Sequence, residues 1–93
     1  MNSNANNKFW KAFNSLPVEV QKQAELTYRE WKDNPYKPSL HFKQLFPNKP
    51  IYSVRIGIGW RALGKKEDDT IVWFWIGSHE QYNNLVSQVR KRN

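Results

Sequence analysis

The sequence predicts an α+β domain, on three observations: apolar residues at helical spacing in the first third, alternating strands joined by tight turns after it, and a capping-box pattern opening a last helix. Residues 1–7 are polar and Asn-rich with nothing to bury, and are expected to form a disordered tip. Residues 8–93 then make a single domain. Phe9, Trp10, Phe13 and Leu16 recur at steps of a helix turn, so a short amphipathic helix is expected over 8–16. Pro17 sets the first turn of a second helix. Its buried stripe is Val20, Ala24, Thr27, Tyr28 and Trp31, and it is closed by Asn34-Pro35 and Lys37-Pro38. The pair reads as an antiparallel helical hairpin.

A short strand is expected over 39–45, followed by a loop bracketed by Pro47 and Pro50. Residues 52–56 alternate: Tyr52, Val54 and Ile56 point one way, Ser53 and Arg55 the other. Gly57-Ile58-Gly59 supplies a reversal and residues 60–65 the return strand. Residues 66–69 turn the chain again. Residues 70–76 read as a strand apolar on both faces, as at the centre of a sheet. Ser78 with Gln81 three residues later has the capping-box pattern. A short C-terminal helix follows, with Tyr82, Leu85, Val86 and Val89 on one face and Arg90, Lys91 and Arg92 at its end. The helical hairpin is thus expected to pack on a twisted antiparallel sheet of three to four strands.

Composition narrows the function classes. The 93 residues carry five Trp and 15% aromatics, enough large rings for a compact core. The absence of cysteine excludes disulfides and thiolate metal sites, and two histidines, His41 and His79, are too few for an ordinary transition-metal site, so no metal or cofactor is expected. A formal charge of +7 points to polyanions or an acidic protein partner. The polar start lacks a secretory pattern, and the longest apolar run, 71–77, is far short of the roughly 20 residues of a membrane span. A cytoplasmic protein with no membrane role is expected. Gly57-x-Gly59 precedes a strand and not a helix, so it reads as a hairpin turn and not a phosphate loop.

Arg55 and Arg61 fall on adjacent strands. If they share a face, two like charges oppose each other without benefit to folding, whereas an anion would bring them together. Solvation, or pairing with Glu67 or Asp68, is the alternative. His79 follows the third strand at a helix start, where an imidazole can exchange protons near neutral pH; an ordinary surface position is the other reading. Tyr82 shares its helical face and either stacks on a base or begins the apolar stripe. Lys43 and Lys65 add charge suited to phosphate. No Ser-His-Asp arrangement and no carboxylate pair in apolar surroundings are present.

In order along the chain stand Leu-Pro (16–17), Asn-Pro (34–35), Phe-Lys-x-Leu (42–45), Tyr-Ser-Val-Arg-Ile-Gly (52–57), Trp-Arg-Ala-Leu (60–63) and Ile-Gly-Ser-His-x-x-Tyr (76–82). Together they resemble the RelE/ParE toxin superfamily of bacterial type II toxin–antitoxin systems, over nearly the whole chain after residue 8. The resemblance implies a helical hairpin on an antiparallel sheet and a cognate antitoxin partner. For a RelE-like member it implies ribosome-dependent cleavage of mRNA through the 2′-hydroxyl, without metal. For a ParE-like member it implies inhibition of DNA gyrase without chemistry, and a degenerate member would bind only its antitoxin. The RelE-like branch fits better, because a pure binder has no need of a proton-exchanging His79. The implied catalytic set is Arg61, His79, Tyr82 and Arg55, and the implied RNA- and phosphate-binding set is Lys43, Arg55, Arg61 and Lys65. Three departures stand out. The family's usual first strand is expected to be absent, Ser53 replaces a lysine found in some RelE-like nucleases, and Gly64 stands where an aromatic often follows.

Overall fold

The computed structural model describes residues 1–92 and contains five strands and three α-helices. In chain order they are β1 (Asn2–Ala5), α1 (Asn7–Asn14), α2 (Val18–Asp33), a 3-10 turn (Pro38–Leu40), β2 (Lys43–Phe46), β3 (Lys49–Ile56), β4 (Trp60–Glu67), β5 (Thr70–Ser78) and α3 (His79–Arg92). One mixed sheet has the order β1-β5-β4-β3-β2, with β1 parallel to β5 and every other pair antiparallel. The α+β class agrees with the sequence; the strand number exceeds the expected three to four.

The extra strand is the segment expected to be a disordered tip, and the first strand expected to be missing is therefore present. Asn2–Ala5 pairs with Thr70–Trp73, and Asn2 N–H donates to Asp69 O at 2.8 Å while Asn6 N–H donates to Trp73 O at 3.0 Å. A ladder needs only backbone donors and acceptors, which asparagine supplies as well as valine does. Ala5 packs on the core and the Ser3 hydroxyl meets the Tyr28 hydroxyl, while Asn2 and Asn4 are exposed. Asn6 then caps α1, its Oδ1 accepting from Phe9 N–H at 2.9 Å.

The expected strand over 39–45 begins later. Pro38–Leu40 form a 3-10 turn, and His41 takes a left-handed conformation (φ 47°) before β2 starts. Pro50 lies within β3, not in a loop. The register passes from Gln44↔Tyr52 to Phe46↔Lys49, so Pro50 falls at the irregularity, where its missing N–H does not interrupt the ladder.

Helices α1 and α2 cover one face of the sheet. The core joins Ala24 and Trp31 of α2 to Val54 and Ile56 of β3, Ala62 of β4, and Ile71, Trp73 and Ile76 of β5. Trp31 is 1% exposed, with edge-to-face contacts to Trp73 at 5.3 Å and Phe42 at 5.7 Å. Gly64 faces this layer: a Cβ there would collide with Ile71 and stand 2.8 Å from the Trp73 ring. The core therefore excludes an aromatic at 64.

Strand β5 is not a plain strand buried on both sides. Its partners run Leu63↔Trp75 and then Gly64↔Trp73, so Phe74 is an extra residue in a bulge. The bulge shifts the phase: Ile71, Trp73 and Ile76 reach the helical face, while Trp75 and Gly77 turn to the other.

Candidate functional site

The face opposite α1 and α2 carries the candidate residues. On β3 it holds Ser53 and Arg55, and on β4 Arg61, Leu63 and Lys65. Arg55 is the direct partner of Arg61, and Arg61 is the direct partner of Gly77. The two guanidiniums thus project side by side from neighbouring strands. Arg55 Nε donates to Gly57 O at 2.9 Å and Arg61 Nη1 to Trp60 O at 2.9 Å, so each stem is braced against the end of the hairpin.

Helix α3 brings the remaining pair. The capping box is reciprocal: Ser78 N–H donates to Gln81 Oε1 at 3.0 Å and Gln81 N–H to Ser78 Oγ at 3.1 Å. His79 N–H donates to Gly59 O at 2.7 Å, which ties the helix start to the β3–β4 turn. That start aims Tyr82 at the arginines. The Arg61 guanidinium lies over the Tyr82 ring at 5.7 Å, and the rings of Tyr82 and His79 stack at 6.1 Å with 16° between their planes. Arg55, Arg61, Tyr82 and His79 are therefore contiguous.

Burial holds the Arg61 guanidinium below the usual arginine range; Arg55 pushes in the same direction and Tyr82 opposes it. Among the described residues no carboxylate forms an ion pair with either arginine. Glu67 contacts Lys65 instead, at 3.8 Å, with both side chains well exposed. Lys65 stands two positions along the face from Leu63 and is remote from the cluster. Lys43 lies directly across from Ser53, itself 2% exposed, so an ammonium-bearing residue stands one strand over from the serine. Among the described residues no group of three or more His, Cys, Asp or Glu is placed to hold a metal ion, and no helix is long and apolar enough to cross a membrane.

Two residues of the site were missed in the sequence. Gly77 faces Arg61, and a Cβ there would come within 2.6 Å of the Trp75 ring and 2.7 Å of Gln81 Oε1. Trp75, half-buried, lies against this glycine on the arginine face. The bulge at Phe74 hid its direction; the glycine two residues later was the available signal.

A sheet covered by α1 and α2 on one face, with paired arginines and a stacked Tyr–His pair on the other, defines a small α+β fold with a cationic cluster. Solved structures with this fold include RelE in the RelB–RelE antitoxin–toxin complex from Methanococcus jannaschii, at 17% identity, covering 88% of this chain and 96% of that one, with TM-score 0.70. The conserved hypothetical protein HP0894 from Helicobacter pylori matches at 24% identity over 86% and 96%, TM-score 0.64. The isolated RelE toxin of E. coli matches at 16% identity over 95% and 97%, TM-score 0.61. No curated protein sequence matches the chain. The profile of the ParE-like toxin domain matches residues 18–84. The chain belongs to the ParE-like toxin domain family, within the RelE/ParE superfamily of toxin–antitoxin toxins.

Proposed function

We propose that this toxin is a metal-independent, ribosome-dependent mRNA endonuclease. The observation that carries the reading is the Arg55–Arg61 pair, which among the described residues forms no ion pair with a carboxylate and which adjoins Tyr82 and His79. The ribose 2′-oxygen attacks the adjacent phosphorus, the bond to the 5′-oxygen breaks, and a 2′,3′-cyclic phosphate results. One proton leaves the 2′-hydroxyl and one reaches the departing 5′-oxygen; His79 serves as acid or base for one of these transfers. Arg61 and Arg55 hold the phosphate and stabilise the charge that builds on it. Tyr82 orients or stacks the base, and Lys43 and Lys65 draw the backbone onto the face. The ribosome supplies substrate geometry that a small open face cannot.

The cell compartment is then the cytoplasm. An antitoxin is the expected protein partner, supported by similarity to a RelE solved with RelB. In primer extension on ribosome-bound message, wild type cuts within codons, and Arg61→Ala and His79→Ala each cut about a hundredfold more slowly or worse. Undiminished cutting by Arg61→Ala would exclude the mechanism.

A second reading is favoured by the description of the matched family, ParE-like. In it the protein inhibits DNA gyrase by binding alone. A supercoiling assay with purified gyrase separates the two: the nuclease leaves supercoiling untouched.

A further inference from the structure

Beside the arginine face lies a groove of about 630 Å³, between α3 and the corner joining α1 to α2. Half-buried Trp60, Trp75 and Leu85 line it, and the exposed side chains of Gln81, Asn84 and Gln88 border it. The three amides recur at steps of three and four, so they form one stripe of α3, turned away from the stripe of His79, Tyr82 and Val86. None of these six lining side chains is charged. The groove is therefore unsuited to a phosphate, and its amides offer both donors and acceptors beside an indole surface.

Trp75 joins the groove to the arginines. It stands in register with Leu63, its neighbour Gly77 stands in register with Arg61, and its ring covers Gly77 on that same face. A polynucleotide whose phosphate lies at Arg55 and Arg61 thus has an aromatic surface within about one nucleotide's reach. Strand β1 pairs only with Thr70–Trp73, so the outer edge of β5 beyond Trp73 is uncovered in the sheet. The bulge at Phe74 deforms that edge, which disfavours addition of a peptide strand.

We propose that this groove holds a second nucleobase adjoining the phosphate at Arg55 and Arg61, on the other side of it from the base at Tyr82, stacking on Trp75 while the amides of Asn84 and Gln88 hydrogen-bond its edge. The inference rests on the phosphodiester reading above and extends it to single-stranded RNA bases. The test titrates the purified protein with two probes: a 2′-O-methyl trinucleotide, which lacks the attacking hydroxyl, and its abasic counterpart of equal charge. Backbone amides of Arg55 and Arg61 should shift in NMR spectra with both probes. The Trp75 indole N–H and the Asn84 and Gln88 side-chain amides should shift only with the base-bearing one.

Trp75→Leu should weaken the base-bearing probe about tenfold and leave the abasic one unchanged. Because Trp75 is half-buried, the double variant Asn84→Ala with Gln88→Ala, both exposed, provides a second measure, with about a threefold loss confined to the base-bearing probe. Equal affinity of the two probes, with a silent groove and responding arginines, overturns the inference and leaves the phosphate reading standing. Silence of Arg55 and Arg61 toward both probes overturns both. Groove shifts produced only by an added protein partner assign it to a peptide and likewise overturn the inference.

Discussion

Arg55 and Arg61 face each other across one rung of the ladder, and their repulsion works against the fold. Burial first, and Arg55 after it, hold the Arg61 guanidinium below the usual arginine range, so desolvation adds to that cost. A base that holds its proton less tightly in the folded state is destabilising at every pH below its lowered value, so the penalty is constant through the neutral range. Arg61→Met should therefore leave stability unchanged or raise it by about 0.5 kcal/mol. On a domain of this size that is about 2–4 °C in Tm, with no pH dependence between about pH 5 and 9. Cleavage should fall at least a hundredfold in the same variant. A calorimetric scan beside the primer-extension assay reads both, and a variant that loses stability along with activity would mark Arg61 as structural. Arg61→Lys should rescue poorly, since an ammonium offers neither the bidentate fork nor the planar contact over Tyr82.

At the scale of elements, the site is an agreement between a hairpin and a helix start. Gly59 O receives the His79 N–H, and the Ser78–Gln81 box fixes the first turn that carries His79 and Tyr82. Ser78→Ala should cost about 1 kcal/mol and speed amide exchange in residues 79–82 about fivefold. It should cut RNA cleavage about tenfold through misplacement. Gln81→Glu keeps the box and should behave as wild type in both measurements. Much of this was legible in the sequence. The three-residue reversal at Gly57–Gly59 pairs Ile56 with Trp60 and so Arg55 with Arg61, and the capping box lies in four consecutive residues. What was hidden had no side-chain signature. Strand β1 is held by backbone bonds that Asn-rich composition does not advertise, and the β5 bulge sits in an unbroken apolar run where alternation leaves no polar mark. Deleting residues 1–5 should accordingly cost about 2 kcal/mol and, by baring the Thr70–Trp73 edge, produce concentration-dependent association visible by light scattering.

For the molecule as a whole, the charge of +7 is a field whose use depends on where it is left unpaired. Ion pairs of the described residues join Lys37 to Glu30 and Lys65 to Glu67, both exposed and of little energetic weight. The face formed by β2, β3 and β4 places Lys43, Arg55, Arg61 and Lys65 on the side that α1 and α2 do not cover. About four cations engaging phosphates should release about three counterions from a single strand, a slope of log affinity against log salt near −3. Lys43→Gln should lessen that slope by about 0.7 and weaken all RNA sequences alike, because Lys43 reaches charge and no base. Lys65→Gln should change it less, since Glu67 already occupies that ammonium in part. Filter binding of a 2′-O-methyl RNA at several salt concentrations measures all three slopes. A slope near zero would mean that RNA does not lie along this face, and the basic charge would then belong to an acidic protein partner.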